Sequence, residues 1–170
     1  MVLLHRDGEK ALVVSQWPAV LERLKQLCRE NGIGTVDLSG GTDSRGAAAR
    51  AFQREPQVCV FLLKADENAG GLTLTAARHV FLFDTMSVRA TRERGRGVLR
   101  DPLPRARAYS LDKSVELQAV NRVHRIGQRR PCIVHELIAQ DTVEAAVKEL
   151  QEARTGVRCV CVPCVWLGVL

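Results

Sequence analysis

The sequence predicts an α/β domain in which helices cover both faces of a doubly wound, mostly parallel β-sheet. Short apolar segments alternate with segments of helical periodicity along most of the 170 residues. That alternation is typical of parallel strands joined by crossover helices. Residues 58–63 (VCVFLL) are apolar at every position, and a strand with two apolar sides requires cover on both faces of its sheet.

The strands are predicted from five short apolar runs bounded by turn or charged residues. They are residues 10–15, 35–38, 58–63, 78–83 and 132–138. The pair Gly70-Gly71 breaks the chain before the fourth run.

The helices are predicted from apolar spacing and from their start and stop signals. Pro18 is suited to the first turn of a helix, and Asn31-Gly32 ends that helix. Asp141 and Glu144 have the spacing of a capping box before the last helix. The four predicted helices are residues 18–30, 42–54, 114–125 and 141–154.

The positive charge of the chain is unevenly distributed. The formal net charge is +6, but residues 87–110 hold seven Arg against two acidic residues, and the tail 156–170 adds one more positive charge. The remainder is neutral, so overall charge by itself does not indicate a nucleic-acid-binding protein. Residues 87–110 lack periodicity and are rich in Arg, Gly and Pro, which predicts a loop or disorder.

Composition argues against several other classes of protein. No run of eighteen apolar residues exists, so a membrane span is not expected. The amino terminus is charged too early for a signal peptide. Cys28, Cys59 and Cys132 are scattered in apolar or helical surroundings and are expected to be reduced thiols. The terminal CVCVPC lacks a second ligand pair, so no metal site is predicted.

Three segments resemble the second RecA-like lobe of Swi/Snf-type DNA-dependent ATPases. They are ALVVSQW at 11–17, GLTLTAARHVFLFD at 71–84 and QAVNRVHRIGQ at 118–128. The last meets every fixed position of the family's pattern Q-A-x-x-R-x-H-R-x-G-Q. Within the family, IVHELIAQDTVEAAV and VNRVHRIGQ are most similar to the SHPRH-type ubiquitin ligase/helicase members. Residues 1–155 are thus expected to form a helicase C-terminal RecA-like domain, followed by an irregular tail.

The third segment carries the catalytic prediction. Gln118, Arg122 and Arg125 have the spacing of residues on one face of a helix. Two guanidinium groups on one face are suited to bind the negative charge that is distributed over phosphate oxygens. The resemblance implies that Arg122 and Arg125 are arginine fingers, and that Gln118 and Gln128 bind the nucleotide. It also implies that ATP and Mg are held mainly by an N-terminal lobe, since this sequence has no G-x-x-x-x-G-K-[ST] loop.

The other two segments carry the DNA prediction. The resemblance implies that hydroxyl, amide and glycine groups there contact phosphates of double-stranded DNA. The predicted contacts are Ser15, Gln16, Gly71, Thr73 and Thr75. Trp17 has two interpretations: it contacts a DNA strand, or it anchors the following helix in the core. The family usually has Asn where Thr73 stands and Gly where Asn68 stands.

Two segments depart from the family pattern. Asp84 and Gln118 are separated by 34 positions, whereas about ten residues is usual for such a connection. We hypothesise that 87–110 and 156–170 are translated intron sequence. The alternative for 87–110 is a basic loop that binds DNA phosphates. Asp66-Glu67 follows a strand as a magnesium site would, but without a phosphate loop it is interpreted as a turn.

Three functions remain open from the sequence. The first is one lobe of a nuclear ATP-driven DNA translocase or chromatin remodeller, completed by an N-terminal RecA-like lobe of the same polypeptide. The second is a non-catalytic module that binds DNA or protein. The third is a fragment of a helicase-like ubiquitin ligase whose RING domain lies outside this chain.

Overall fold

The structure is a computed structural model that describes residues 2–38, 42–65, 71–84, 87–89, 107–109 and 114–155. Five strands form a wholly parallel sheet: β1 (Ala11–Ser15), β2 (Gly34–Asp37), β3 (Val58–Lys64), β4 (His79–Leu82) and β7 (Ile133–Glu136). Their order in the sheet is β2-β3-β1-β4-β7. The predicted parallel sheet is confirmed, and each predicted strand exists within two residues of its expected bounds.

Helices connect the strands as the sequence predicts, with two differences. The helices are α1 (Val2–Arg6), α2 (Pro18–Glu30), α3 (Thr42–Arg54), α4 (Ser114–Val123) and α5 (Val143–Thr155). The short α1 was not predicted. Helix α4 ends at Val123, two residues earlier than expected, because the chain then enters a turn in which Gly127 has a φ of 105°.

The core lies on both faces of the sheet, as the two-sided apolar strands require. On one face, Leu12 packs in a cluster with Phe52 of α3 and Val123 of α4. On the other face, the neighbouring Val13 packs in a cluster with Cys28 of α2. Successive residues of a strand point to opposite faces, so alternation along β1 divides the core into these two layers.

The strand order creates a switch point between β1 and β4. The next helix along the chain after β1 is α2, and the next helix after β4 is α4. These helices cover opposite faces of the sheet. Open α/β sheets usually hold ligands beyond the carboxyl ends of the strands at such a point.

Two short strands within residues 87–110 were not predicted. β5 (Ser87–Arg89) and β6 (Arg107–Tyr109) pair as an antiparallel ribbon. Residues 90–106 and the tail 156–170, including CVCVPC, lie outside the described residues, as do Asp66-Glu67 and Gly40-Gly41. The expectations for those segments stay predictions.

The cap of the last helix also differs in detail. Asp141 adopts a positive φ of 57° and does not cap. The hydroxyl of Thr142 instead accepts a hydrogen bond from the backbone amide of Glu144 at 3.2 Å. The Glu144 carboxylate accepts a hydrogen bond from the backbone amide of Ala139 at 3.2 Å. Thr142 thus caps the helix in place of Asp141, and the predicted reciprocal capping box is not formed, because the Glu144 carboxylate bonds to a residue before the cap.

Three of the six cysteines lie within the described residues. Cys28 and Cys59 are free and buried, and Cys132 is free and half-buried. None of the helices within the described ranges is long and apolar enough to cross a membrane.

Candidate functional site

The predicted site residues occupy two opposite edges of the sheet. Ser15 and Gln16 end or follow β1, at the carboxyl edge. Thr73 and Thr75 precede β4, at the edge where β1 and β4 begin. The turn that follows α4 lies beside Thr73 and Thr75. The structure thus brings the third segment onto the start of the second segment, whereas Gln16 of the first segment meets the end of the second segment at Asp84.

Arg125 is presented by a turn and not by a helix. The predicted stripe of Gln118, Arg122 and Arg125 is correct only for the first two, because α4 ends at Val123. The backbone amide of Gln128 donates a hydrogen bond to the carbonyl of Arg125 at 2.9 Å and closes the turn. Gly127 supplies the positive φ that the turn needs, which few other residues tolerate.

The guanidinium of Arg125 rests on the segment before β4. Its Nη1 donates to the Thr73 hydroxyl at 2.9 Å and to the Leu72 carbonyl at 3.3 Å. Arg125 is exposed, and no carboxylate of the described residues lies within ion-pair distance of it. An exposed fork with one nitrogen anchored and no neutralising acid is suited to an anion such as a phosphate.

Arg122 lies one turn earlier on α4 and is half-buried. Burial lowers the pKa of its guanidinium from the ordinary value, and the nearby charge of Arg125 lowers it further. Its carbonyl accepts the amide of Leu74 at 3.0 Å, which docks α4 on the same segment. Two arginines close enough to repel each other fit a phosphate group, because a shared anion would relieve that repulsion.

Gln128 and Gln118 differ in their surroundings. The amide nitrogen of Gln128 donates to the carbonyls of Thr75 at 3.0 Å and Ala77 at 2.7 Å. Its oxygen accepts the amide of Arg130 at 3.1 Å. These intramolecular bonds hold two loops together, whereas Gln118 is exposed on α4. The nucleotide-binding roles predicted for both residues stay predictions.

At the carboxyl edge, Ser15 and Gln16 surround a buried acid. Ser15 is fully buried and Gln16 nearly so. The backbone amide of Gln16 donates a hydrogen bond to the Asp84 carboxylate at 3.1 Å. The Ser15 hydroxyl accepts a hydrogen bond from the backbone amide of Trp17 at 3.1 Å. Because both side chains are enclosed, any contact with DNA at this edge would involve exposed neighbours or a change of conformation.

Asp84 follows β4 and lies opposite Gln16 across the switch point. Burial raises the pKa of its carboxyl, and hydrogen bonds from the Gln16 backbone and from the Ser15 and Gln16 side chains partly oppose that rise. Trp17, which follows, is 47% exposed and is not part of the core. The core-anchor interpretation of Trp17 is therefore wrong, since α2 packs through Cys28 and its neighbours instead.

Comparisons with known proteins show the family to which the chain belongs. The helicase conserved C-terminal domain family matches residues 1–127. The chain belongs to that family. It is 30% identical over 88% of its length to the E3 ubiquitin-protein ligase SHPRH of Homo sapiens, and 28% identical over 87% to the DNA repair protein rad8 of Schizosaccharomyces pombe. It spans only 7% and 11% of those relatives.

The fold of this helicase C-terminal domain is also seen in a solved structure. The C-terminal part of the Fun30 ATPase domain superimposes with a TM-score of 0.67 over 87% of this chain and 41% of that one, at 21% identity. This likeness confirms the RecA-like fold, and the family match and the curated relatives confirm the resemblance to Swi/Snf-family helicase-like proteins.

The helicase C-terminal domain contains one feature that no sequence motif signalled. The carboxylate of Glu9, just before β1, accepts hydrogen bonds from Arg78 at 3.2 Å and from Arg130 at 3.1 Å. Arg130 lies 121 positions away in sequence, so no local pattern could have paired it with Glu9. This ion network is the downstream anchor of the turn that carries Arg125.

Proposed function

We propose that this domain is the second RecA-like lobe of a Swi/Snf-type DNA-dependent ATPase, and that Arg125 and Arg122 act as its arginine fingers. The observation that supports the proposal is the exposed guanidinium of Arg125, next to Arg122 and away from every described carboxylate. ATP and Mg would be held mainly by an N-terminal RecA-like lobe of the same polypeptide.

The chemistry assigned to this chain is electrostatic. Phosphoryl transfer spreads negative charge over the phosphate oxygens, and arginines supplied from outside the nucleotide pocket stabilise that charge. Arg125 would donate from the guanidinium nitrogen that Thr73 does not use, while Thr73 keeps the side chain in place. Arg122, being half-buried, would add a fixed positive charge behind it. Gln118, exposed on the same helix face as Arg122, would orient the nucleotide.

Double-stranded DNA is the proposed partner of the remaining motif residues. Gly71 has a φ of 83° and no side chain, so a phosphate could approach its backbone closely. The hydroxyls of Thr73 and Thr75 could donate to phosphate oxygens. Some relatives are named for DNA repair, which favours a nuclear location. A role in translocation or chromatin remodelling is part of the proposal. Binding of a duplex should weaken as salt rises. If the Thr75 hydroxyl donates to a phosphate, Thr75→Val should weaken binding by a similar factor at every salt concentration, because a neutral hydroxyl releases no counterion.

A second candidate is suggested by the relative named as a ubiquitin ligase. Similarity to SHPRH at 30% identity favours a polypeptide in which this ATPase lobe accompanies ligase activity. The ligase chemistry would then belong to a RING domain outside this chain. Ubiquitin transfer that persists in the Arg125→Ala polypeptide while ATP turnover is lost would separate the two activities.

The finger assignment is tested by steady-state ATP turnover of the polypeptide that carries both lobes. Arg125→Ala and Arg122→Ala should each lower kcat by about 10³-fold, the lower end of the range for arginine fingers, with little change in the KM for ATP. Arg125→Lys should rescue poorly, because an ammonium lacks the planar fork.

Arg129→Ala is the matched control, since Arg129 is an exposed arginine in the same stretch of chain. The 170-residue chain by itself should show no turnover. A near-normal kcat in correctly folded Arg125→Ala protein, or turnover by the chain alone, would contradict the proposal.

A further inference from the structure

The segment that carries Arg125 is held at three points by side chains. Arg125 itself bonds to Thr73, and Gln128 bonds to the carbonyls of Thr75 and Ala77. The third point is Arg130, whose Nη1 lies 3.1 Å from both oxygens of Glu9. The first two anchors tie the turn to the segment before β4, and the third ties it to the segment before β1.

Glu9 is built into the fold more firmly than its arginine partners. Its side chain is 16% exposed, against 31% for Arg78 and 49% for Arg130. Its backbone amide donates to the carbonyl of Leu4 at 2.9 Å, at the end of α1. Arg78 leads directly into β4, and its amide donates to the carbonyl of Lys10 at 3.0 Å. The carboxylate therefore joins the starts of β1 and β4 to the end of the arginine turn.

We infer that Glu9 is a positioning residue for Arg125, acting through Arg130. This inference rests on the proposed role of Arg125. The carboxylate neutralises Arg78 and Arg130 together and holds their guanidiniums near each other. Without it these two like charges repel, and the downstream end of the turn loses its only described link to β1. Gln128 lies between Arg125 and Arg130, so movement of Arg130 is transmitted to it through the bond between the Arg130 amide and the Gln128 oxygen.

The first experiment measures the turn directly, by amide hydrogen exchange in the 170-residue chain. The backbone amide of Gln128 donates to the carbonyl of Arg125, so the exchange rate of this backbone amide reports closure of the turn. Glu9→Gln keeps the size of the side chain and removes its charge. We expect exchange of the Gln128 amide to accelerate by at least about tenfold, without a matching change in the amides of β1 and β3.

The matched control is Asp37→Asn. Asp37 forms an ion pair with Lys25, and the two side chains are 23% and 28% exposed. That pair joins β2 to α2 and does not contact the turn. Asp37→Asn should leave exchange of the Gln128 amide unchanged. Equal exchange of that amide in wild type and Glu9→Gln would overturn the inference, whatever Arg125 does.

The second experiment measures catalysis in the polypeptide that carries both lobes. A misplacement of about 1 Å in a catalytic group can lower the rate by about 10²-fold. Glu9→Gln should therefore lower kcat by roughly 10- to 100-fold and leave the KM for ATP nearly unchanged. If Glu9 acts only through Arg125, the double variant Glu9→Gln with Arg125→Ala should be no slower than Arg125→Ala.

The outcomes separate this inference from the proposed function. Normal turnover in Arg125→Ala would show that the finger assignment fails. A large loss in Arg125→Ala together with normal turnover in Glu9→Gln would overturn the positioning role alone, as would additive losses in the double variant. Should Glu9→Gln not fold, Arg130→Gln removes the same contact from a half-exposed residue, and the same expectations apply to it.

Discussion

The guanidinium of Arg125 donates a hydrogen bond of 2.9 Å to the hydroxyl of Thr73, a residue 52 positions earlier in the chain. The bond joins two segments that resemble separate motifs of the family, so in this fold they form a single surface. Thr73 thus has two candidate roles, an anchor for Arg125 and a DNA contact, and these can be distinguished.

Thr73→Val should lower kcat several-fold in the two-lobe polypeptide, because Arg125 loses the shorter of its two hydrogen bonds and keeps only the Leu72 carbonyl, while Thr73→Ser should retain most activity. The bond is exposed, so the free energy of unfolding should fall by less than about 1 kcal/mol. Turnover is measured at saturating duplex DNA to remove any effect on DNA affinity. Equal kcat values for the Val and Ser variants would mean that Thr73 does not anchor the finger.

Gln128→Ala should destabilise the domain by about 1–3 kcal/mol, since it removes the donor to the carbonyls of Thr75 and Ala77. Gln128→Glu should cost at least as much, because a carboxylate cannot donate and would face two carbonyl oxygens. Urea denaturation gives the free energies, with Gln140→Ala at an exposed turn position as the control. A change within about 0.5 kcal/mol for Gln128→Ala, typical of surface sites, would refute the clamp.

Asp84 should make the domain less stable as pH rises. Burial raises the pKa of its carboxyl in the folded state, so the native protein binds the proton more tightly than the unfolded chain does. Its contribution is therefore fully present below the unfolded pKa of about 3.9 and is lost as pH rises through the folded pKa. Relative to wild type, Asp84→Asn should gain stability as pH rises above about 4.

Chemical denaturation of both proteins across that pH range provides the measurement. A constant difference in the free energy of unfolding would show that Asp84 does not titrate abnormally. Asp141→Asn serves as the control, because Asp141 is exposed in a turn.

Lys148→Met should destabilise the domain strongly. Lys148 of α5 forms an ion pair with Glu136 of β7, and the two side chains are only 9% and 14% exposed. Removal of one partner of a buried pair leaves the other charge uncompensated, at a cost of about 3–5 kcal/mol. Lys148→Met combined with Glu136→Leu should recover most of that loss.

The more exposed pair of Lys25 and Asp37 is the comparison for this experiment. Lys25→Met should cost less than about 1 kcal/mol, as exposed pairs usually do. Similar losses for Lys148→Met and Lys25→Met in urea denaturation would contradict the assignment of Lys148 and Glu136 as a buried pair.

Much of the fold was predictable because its signals are local. Apolar runs such as residues 58–63 indicate strands by themselves, and Pro18 and Asn31-Gly32 mark the ends of α2 within their own segment. The end of α4 was mispredicted, because the polar spacing of Gln118, Arg122 and Arg125 continues a helical pattern past the point where Gly127 and the side chain of Gln128 turn the chain away.

The sequence by itself determined the parallel α/β architecture, the family and the residue types of the site, since periodicity and motif spacing are properties of neighbouring residues. Only the tertiary structure decided which motifs meet. It placed Arg125 on Thr73, enclosed Ser15 and Gln16 around Asp84, and linked Glu9 to Arg130. These contacts join residues 52 to 121 positions apart. They depend on how the strands are ordered in the sheet, which no local pattern specifies.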